Sequence, residues 1–131
     1  NANTPEPAGS EAGTFFRETG GRIWLLSADQ SRELVGCCAV VDEGNGRAQF
    51  RWFLTHPSVR GMGLGRALLT EAVAFARETG YREMFLLTGD FLPAAAHLYR
   101  DLGFRLLEER PFEGWDFSFV ERTYSLDLSG E

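Results

Sequence analysis

The 131-residue sequence predicts a single α/β domain whose sheet is mixed and mostly antiparallel. Three features predict this class: three successive strand-like segments separated by turn residues, two amphipathic segments with helical spacing, and a strand-like segment after each of these. A helix is the usual link between two parallel strands, so the third and fourth strands are expected to form a parallel β-α-β crossover.

The first half of the domain is predicted to be a meander of three antiparallel strands. These strands are expected at Arg22–Ser27, Leu34–Val41 and Arg47–Thr55. Polar residues at 29–32 supply the first turn, and the pair Asn45-Gly46 supplies a tight second turn. The third strand is expected to end before Pro57, because proline cannot donate to a sheet ladder.

Two helices are predicted in the second half, and each is followed by a strand. The first is expected over Leu64–Thr79, with apolar residues at helical spacing and Gly80 just past its end. The second is expected over Pro93–Leu102, since proline is favoured in a first helical turn, and it stops at Gly103. The remaining strands are expected at Glu83–Thr88, Phe104–Glu109 and Phe119–Leu128.

The N-terminal residues carry little structural signal. Residues 1–13 are rich in small and polar residues, so we expect a flexible tail followed by one domain over residues 14–131. Asn1-Ala2 stands where a natural chain would begin with Met, and we interpret it as a cloning remnant. Only Phe15–Thr19 is a helix candidate ahead of Arg22, and no strand is expected there.

The charge balance argues against one class of function and favours another. The net charge is −6, and nucleic-acid binding through this domain is not expected because it requires clustered basic residues. No apolar run reaches membrane-spanning length, which predicts a soluble domain without membrane contact. The segment from Gly44 to Thr70 holds no acid but contains Arg47, Arg51, Arg60 and Arg66. It either attracts an anionic ligand or reflects chance spacing.

Cys37 and Cys38 are adjacent in the second predicted strand, so their side chains should point to opposite faces. They are not expected to pair with each other, and the chain has no further cysteine. Two free thiols are typical of a reducing compartment, which predicts a cytoplasmic location. With only His56 and His97 elsewhere, a metal site is not expected.

The most informative segment is the glycine-rich turn ahead of the first helix, Arg60-Gly61-Met62-Gly63-Leu64-Gly65-Arg66. Alternating glycines allow positive φ angles and let a ligand approach the backbone closely. The helix that follows begins with unpaired N–H groups and the positive end of its dipole. The segment therefore predicts a cradle for a phosphate or pyrophosphate.

Two segments together resemble the signatures of the GNAT family of N-acetyltransferases. The turn at Arg60–Gly65 fits the pattern Gln/Arg-x-x-Gly-x-Gly/Ala and follows a strand that ends at Thr55. The run from Ala94 to Phe104 is similar to the family's second signature, Ala-x-x-Leu-Tyr-x-x-x-Gly-Phe. The resemblance covers roughly Arg22 to Leu128. It implies a GNAT-like sheet whose parallel crossover lies at the cofactor cleft.

The resemblance implies acetyl-CoA as the cofactor. In the family, the pantetheine arm lies along the strand that matches Arg47–Thr55, where this strand splays away from its parallel neighbour, and the arm's amides pair with strand backbone. The positions that match the family's cofactor-binding residues are Phe53, Leu54, Thr55, Arg60, Gly61, Met62, Gly63, Leu64, Gly65 and Arg66. Tyr99 matches the general acid that protonates the leaving thiolate; the alternative is a tyrosine of the helical core.

Other positions depart from the family pattern or leave a role open. Leu92 stands where many relatives have an asparagine that contacts the cofactor. The general base is either His56, at the strand end, or an ordered water, whereas Glu83 and Asp90 are better explained as solvated or capping residues. The strand and helices that precede Arg22 in complete relatives are not expected here.

The resemblance implies an enzyme that moves an acetyl group from acetyl-CoA to a primary amine by direct attack in a ternary complex. The acceptor would be a small molecule or a peptide, and Trp115 with Phe112 and Phe117 forms a candidate substrate wall or dimer contact. The alternative is a non-catalytic acetyl-CoA sensor, which Leu92 and the missing N-terminal walls favour. A dinucleotide-binding domain is weaker, because the turn does not open a doubly wound sheet.

Two further expectations concern partners. Segments at Gly20–Leu25, Leu92–Ala96 and Arg122–Leu128 resemble acetyltransferase domains fused behind MarR-type regulators, in which DNA contact would come from the fused domain. The last strand could also pair across a two-fold axis in a homodimer.

Overall fold

The computed structural model describes residues 11–16, 21–27 and 33–130, with residues 11–16 described by their backbone. The strands are β1 (Glu11–Phe16), β2 (Arg22–Ser27), β3 (Leu34–Gly44), β4 (Arg47–Thr55), β5 (Glu83–Gly89), β6 (Arg105–Glu113) and β7 (Ser118–Asp127). The helices are α1 (Leu64–Thr79) and α2 (Pro93–Asp101), and a 3-10 turn at Pro57–Val59 follows β4.

These strands form one mixed sheet in the order β1-β2-β3-β4-β5-β7-β6. The first four strands are joined as an antiparallel meander, and α1 then carries the chain to β5, which is parallel to β4. The last two strands form a hairpin that adds to β5 through β7. The predicted meander and the predicted parallel crossover are both confirmed.

The strand β1 corrects the prediction for the N-terminal part of the domain. A tail to residue 13 and no strand before Arg22 were expected, but Glu11–Phe16 pairs antiparallel with the full length of β2. Only Thr14-Phe15-Phe16 has strand-like composition there. The strand forms because β2 offers an edge for pairing, and the sequence of β1 alone does not reveal that edge. Residues 1–10 of the expected tail, and Arg17–Thr19 of the helix candidate, lie outside the described residues.

Both helices pack on the same face of the sheet and enclose a single core. Four residues of α1 and two of α2 are buried against alternate residues of five strands. The buried core side chains include Leu26, Cys38, Val40, Ala48, Phe50, Leu68, Leu69, Ala72, Met84, Leu86, Ala96, Tyr99 and Tyr124. The side chain of Cys38 points toward α1, because its Sγ lies 3.9 Å from the Leu68 carbonyl oxygen. We call this side of the sheet the helix face.

The other side of the sheet carries the alternate residues, and we call it the open face. Because side chains alternate along a strand, Phe85 and Leu87 of β5 and Glu121 and Ser125 of β7 point to this side. In the part of the chain that the structure describes, no helix belongs to this face. No described helix is both long and apolar enough to cross a membrane.

The helix ends agree closely with the glycines that predicted them. Gly80 follows α1 with φ of 102°, and its N–H donates to the carbonyls of Ala76 and Arg77. Gly103, with φ of 100°, lies just after α2. Left-handed φ angles of this kind favour glycine, which explains why both helices stop where the sequence indicated.

The two cysteines are free and lie on opposite faces, as predicted. We expect a thiol reagent at neutral pH to label Cys37 slowly and Cys38 only after unfolding. Burial raises the pKa of both thiols, and Cys38 has no exposed surface. Mass spectrometry after timed labelling checks this, with Cys37→Ser as the control that should take up no label while folded.

Candidate functional site

The central feature of the site is a gap within the sheet. The parallel strands β4 and β5 are paired only from Arg47↔Glu83 to Gln49↔Phe85. Beyond this point β4 stays paired with β3 as far as Thr55, and β5 stays paired with β7 as far as Gly89. The backbone edges of β4 and β5 therefore face a gap that widens toward their C-terminal ends, where unpaired N–H and C=O groups can bind a ligand.

A β-bulge in β4 shapes one side of this gap. Between the pairs Ala39↔Arg51 and Cys37↔Leu54, one residue of β3 faces two residues of β4, Trp52 and Phe53. Trp52 has φ of 55°, an uncommon angle for a bulky residue, and the Cys37 thiol donates to its carbonyl at 3.2 Å. The extra residue turns Phe53 onto the helix face.

Phe53 links the gap to both helices. Its ring centroid lies 5.0 Å from that of Phe50 and 6.2 Å from that of Tyr99. A Cβ added at Gly65 would lie 3.4 Å from Phe53 Cζ and 3.8 Å from Leu98 Cδ2. Gly65 therefore lies within van der Waals range of side chains from β4 and α2, and the three elements meet at one end of the gap.

The glycine-rich turn lies between β4 and α1, with its first two glycines in positive φ. Gly61 has φ of 82° and Gly63, the N-cap of α1, has φ of 80°. A Cβ at either position would meet nothing within 4 Å, so space outside the turn is open. These glycines are explained by backbone conformation and by room for a ligand rather than by internal packing.

The beginning of α1 presents unpaired amides. The N–H groups of Arg60 and Met62 already donate to the carbonyls of Pro57 and Val59. These two amides are therefore not available to a ligand. No described residue accepts a hydrogen bond from the N–H groups of Gly61, Gly63, Leu64, Gly65 and Arg66. The first turn of α1 also contains no acid, so the positive end of the helix dipole is not offset there.

Tyr99 lies on α2 beside this junction. Its ring packs among Phe53, Phe104 and Tyr124, and 5% of the residue is exposed. The Tyr99 hydroxyl has no hydrogen-bond partner among the described residues. It is not fully buried, because Arg22 Nε is the one polar side-chain atom of the described residues that is both fully buried and without a partner. Burial, assisted by the nearby Tyr124, raises the pKa of Tyr99 to about 12.

An ion pair joins the two helices at the same end. Arg66 Nη2 lies 2.7 Å from Asp101 Oδ2, and His97 Nε2 lies 3.7 Å from the same oxygen. The hydrogen bond from Arg66 lowers the pKa of Asp101. The side chain of Arg66 is therefore directed at α2, while its backbone N–H remains unpaired at the start of α1.

Two arginines of the acid-free segment lie at different places. Arg47 pairs with Glu83 at 2.9 Å and covers the Phe85 ring at 4.1 Å, at the closed end of the β4–β5 pair. Arg51 lies at the bulge, 5.5 Å from the Trp52 ring. Since Arg47 is at the opposite end of the strands from the glycine-rich turn, it does not contribute to the gap.

The base candidate His56, and the two acids Glu83 and Asp90 that were interpreted as solvated or capping residues, all have structural partners. His56 caps the 3-10 turn, because its Nδ1 accepts the Ser58 N–H at 3.0 Å. Glu83 lies at the closed end, where a hydrogen bond from Ser125 contributes most to lowering its pKa. Asp90 accepts the Val120 N–H at 3.1 Å. Leu92 is the N-cap of α2 and provides no side-chain cap.

Comparison with known proteins identifies the family. The family model described as "Acetyltransferase (GNAT) family" matches residues 3–104. The chain belongs to the GNAT family of acetyltransferases. Its sheet and helices also match a solved nourseothricin acetyltransferase, with a TM-score of 0.75 and 28% identity over 87% of this chain and 69% of that chain.

Two curated relatives carry acetyltransferase names. N-acetyltransferase 8 from Rattus norvegicus is 33% identical over 123 residues, which cover 88% of this chain and 55% of that protein. N-acetyltransferase 8B from Homo sapiens is 32% identical over 108 residues, covering 78% of this chain and 46% of that protein. The chain thus spans about half the length of the curated relatives it matches.

The structure brings most of the sequence-predicted site residues to one end of the gap. Phe53, Gly65 and Tyr99 meet there, and Leu54 and Thr55 continue along the edge of β4. Sequence reasoning missed the bulge at Trp52 and the contact between Arg66 and Asp101. The only sequence signal for the ion pair is the opposite charge of two helical residues, which does not specify that the helices adjoin.

Proposed function

We propose that the chain is an acetyl-CoA-dependent N-acetyltransferase that acts on a primary amine. The observation that carries the proposal is the gap between β4 and β5, with the Tyr99 helix at its side and the unpaired amides of α1 at its end. A gap edged by strand backbone suits a ligand rich in amides, and an uncapped helix N-terminus suits a pyrophosphate. Family membership supports the same activity.

The residues present fit acetyl-CoA. The amides of Gly61 and Gly63–Arg66 would bind the pyrophosphate, and the exposed guanidinium of Arg60 lies in the same turn. The backbone of Phe53–Thr55 would pair with the pantetheine amides. Leu92 cannot make the polar side-chain contact that an asparagine makes with the cofactor in many relatives. Backbone groups would therefore contribute more of the cofactor binding in this chain.

When bound, acetyl-CoA would supply a thioester whose acetyl group passes to the amine nitrogen, with coenzyme A as the thiol product. Tyr99 holds the proton that converts the departing thiolate into a thiol. Because its pKa is raised to about 12, the phenol stays protonated at neutral pH. The amine's proton leaves to water, since His56, Glu83 and Asp90 are engaged in caps and strand contacts.

Two assays on the same preparation test the proposal. Calorimetry with acetyl-CoA measures binding, and thiol release with a panel of primary amines measures transfer. Binding with amine-dependent thiol release supports the enzyme. Binding without release for any amine favours the non-catalytic sensor, and no binding contradicts both functions.

Charge near the glycine-rich turn gives a second test of the cofactor site. We expect Asp101→Asn to tighten acetyl-CoA binding about two- to fivefold at low salt, because it releases the charge of Arg66 beside the anion-binding amides. High salt should remove the gain. The double variant Arg66→Ala/Asp101→Asn is the control, and a gain that persists in it would contradict this explanation.

Several finer predictions belong with this proposal. We propose a small-molecule or peptide amine as acceptor and a cytoplasmic setting. The fusion to a MarR-type regulator and the homodimer remain predictions from the sequence. Sequencing the natural gene upstream of Thr4 tests the first, and sedimentation equilibrium tests the second.

A further inference from the structure

The hairpin between β6 and β7 carries a cluster of aromatic side chains. Phe112 and Phe119 are opposite each other, with ring centroids 4.9 Å apart, and Phe117 lies 5.9 Å from both. Phe91, which follows β5, meets Phe119 edge-on at 5.3 Å. We call these four residues the aromatic wall.

The wall is exposed rather than part of the core. Phe91 and Phe117 are 61% and 60% exposed, and Phe112 is 45% exposed. None of the four belongs to the buried cluster between the sheet and the helices. Aromatic rings that pack on one another yet remain open to solvent mark an interaction surface.

Backbone contacts fix the wall to the β5 side of the gap. The Phe91 ring lies against Gly89, the last residue of β5, so closely that a Cβ added at Gly89 would collide with Phe91 Cε2. The Asp90 N–H donates to the Val120 carbonyl at 2.9 Å, and the Asp90 carboxylate accepts the Val120 N–H. The tip of the hairpin therefore extends past the end of β5, beside the wide end of the gap.

The wall lies on the open face, whereas Tyr99 lies on the helix face. Strand alternation places Phe119 and Glu121 on the open face, since Tyr124 points to the helices. Leu54 and Leu87, on the two strands that edge the gap, are also exposed, at 66% and 42%. A molecule that enters the gap from the open face thus meets apolar side chains on both strands and the wall beyond β5.

One carboxylate accompanies these apolar groups. Glu121 is paired in register with Gly89, and its only described ion-pair partner, Arg110, is 3.9 Å away. At this distance the side chain remains able to attract a cationic group. The open face beside the gap therefore combines an acid with an apolar surface.

We propose that the acceptor is a primary amine with an aromatic or branched aliphatic body that packs on the aromatic wall, with its ammonium group drawn toward Glu121. The inference rests on the proposed acetyltransferase function and names its substrate class. Such an acceptor matches the two kinds of group at this face, whereas a polyamine would leave the wall without a partner.

The test compares amines that differ in their body. Thiol release with acetyl-CoA is measured for 2-phenylethylamine, ethanolamine and spermidine in the unaltered chain, Phe91→Ala and Phe117→Ala. We expect kcat/KM to be at least about tenfold higher for 2-phenylethylamine than for the other two. Each variant should lower this preference at least about fivefold through KM, leaving the KM for acetyl-CoA unchanged. Leu107→Ala, an exposed apolar residue of β6, is the matched control.

The outcomes separate the inference from the function on which it rests. Amine acetylation with a preference for spermidine or ethanolamine, or a preference unchanged in both Phe variants, overturns the substrate class and leaves the enzyme intact. Absence of transfer to every amine despite acetyl-CoA binding overturns both. A drop in sedimentation mass in Phe117→Ala, with the preference unchanged, would assign the wall to contact between copies of the chain and also overturn the inference.

Discussion

Tyr99→Phe is expected to lower kcat about 100-fold while leaving the dissociation constant of acetyl-CoA unchanged. Loss of a positioned general acid typically costs two to four orders of magnitude in rate, about 10²–10⁴. The phenyl ring of the variant would keep the packing that Tyr99 makes against Phe53, Phe104 and Tyr124. The variant thus removes the proton donor from the edge of the gap with little change to the cavity around it.

Steady-state kinetics and calorimetry on the same preparation measure the two quantities. Tyr81→Phe is the matched control, because Tyr81 is also buried but lies at the far end of α1, next to Gly80. It should keep kcat within about threefold of the unaltered chain. An unchanged kcat in Tyr99→Phe would assign Tyr99 to the core alone and remove the chain's candidate acid.

Tyr99→Phe is also expected to change how the free energy of unfolding depends on pH in the alkaline range. Burial raises the pKa of Tyr99 from 10.0 to about 12, so between these values the folded chain holds a proton that the unfolded chain has lost. The protonated phenol therefore contributes up to about 3 kcal/mol to the free energy of unfolding. This contribution is fully present below pH 10 and is lost as the pH rises through about 12. We expect the unfolding free energy of Tyr99→Phe to fall less steeply over this pH range than that of the unaltered chain, as measured by urea titrations.

The sequence predicted elements best where local chemistry decides them. The bounds of α1 and β4 match the prediction to the residue, because glycines surround the start of α1 and follow its end, and His56-Pro57 closes β4. The second helix ends one residue earlier than expected, at Asp101. Strand pairing is decided by distant partners, and β1 was missed for this reason.

The candidate site shows the same division. Its glycines and Tyr99 could be named because they form short motifs on one segment each. The bulge at Trp52 could not be predicted, since it depends on how β4 aligns with β3. Arg47 was grouped with the glycine-rich turn by charge, but its partner Glu83 lies 36 residues away in sequence and holds it at the closed end.

Gly63→Ala is expected to weaken acetyl-CoA binding at least about tenfold. Gly63 has φ of 80°, and a methyl group there costs about 1 kcal/mol through the left-handed backbone alone. In the free chain the added Cβ would touch nothing within 4 Å. A larger effect on binding than on folding would therefore arise from the space outside the turn, where the pyrophosphate is proposed to lie.

Gly80→Ala separates these two effects, since the chain contains the same backbone feature at the other end of α1. Gly80 has φ of 102° and an equally open Cβ position, but it lies at the negative end of the helix dipole. Both variants should lose similar unfolding free energy in urea titrations, and only Gly63→Ala should bind acetyl-CoA more weakly in calorimetry. Equal binding losses would mean that strain transmitted along α1 weakens the site. Unchanged binding in Gly63→Ala would place the pyrophosphate elsewhere. An anion bound by the amides around Gly63 would occupy the space that the added methyl group needs.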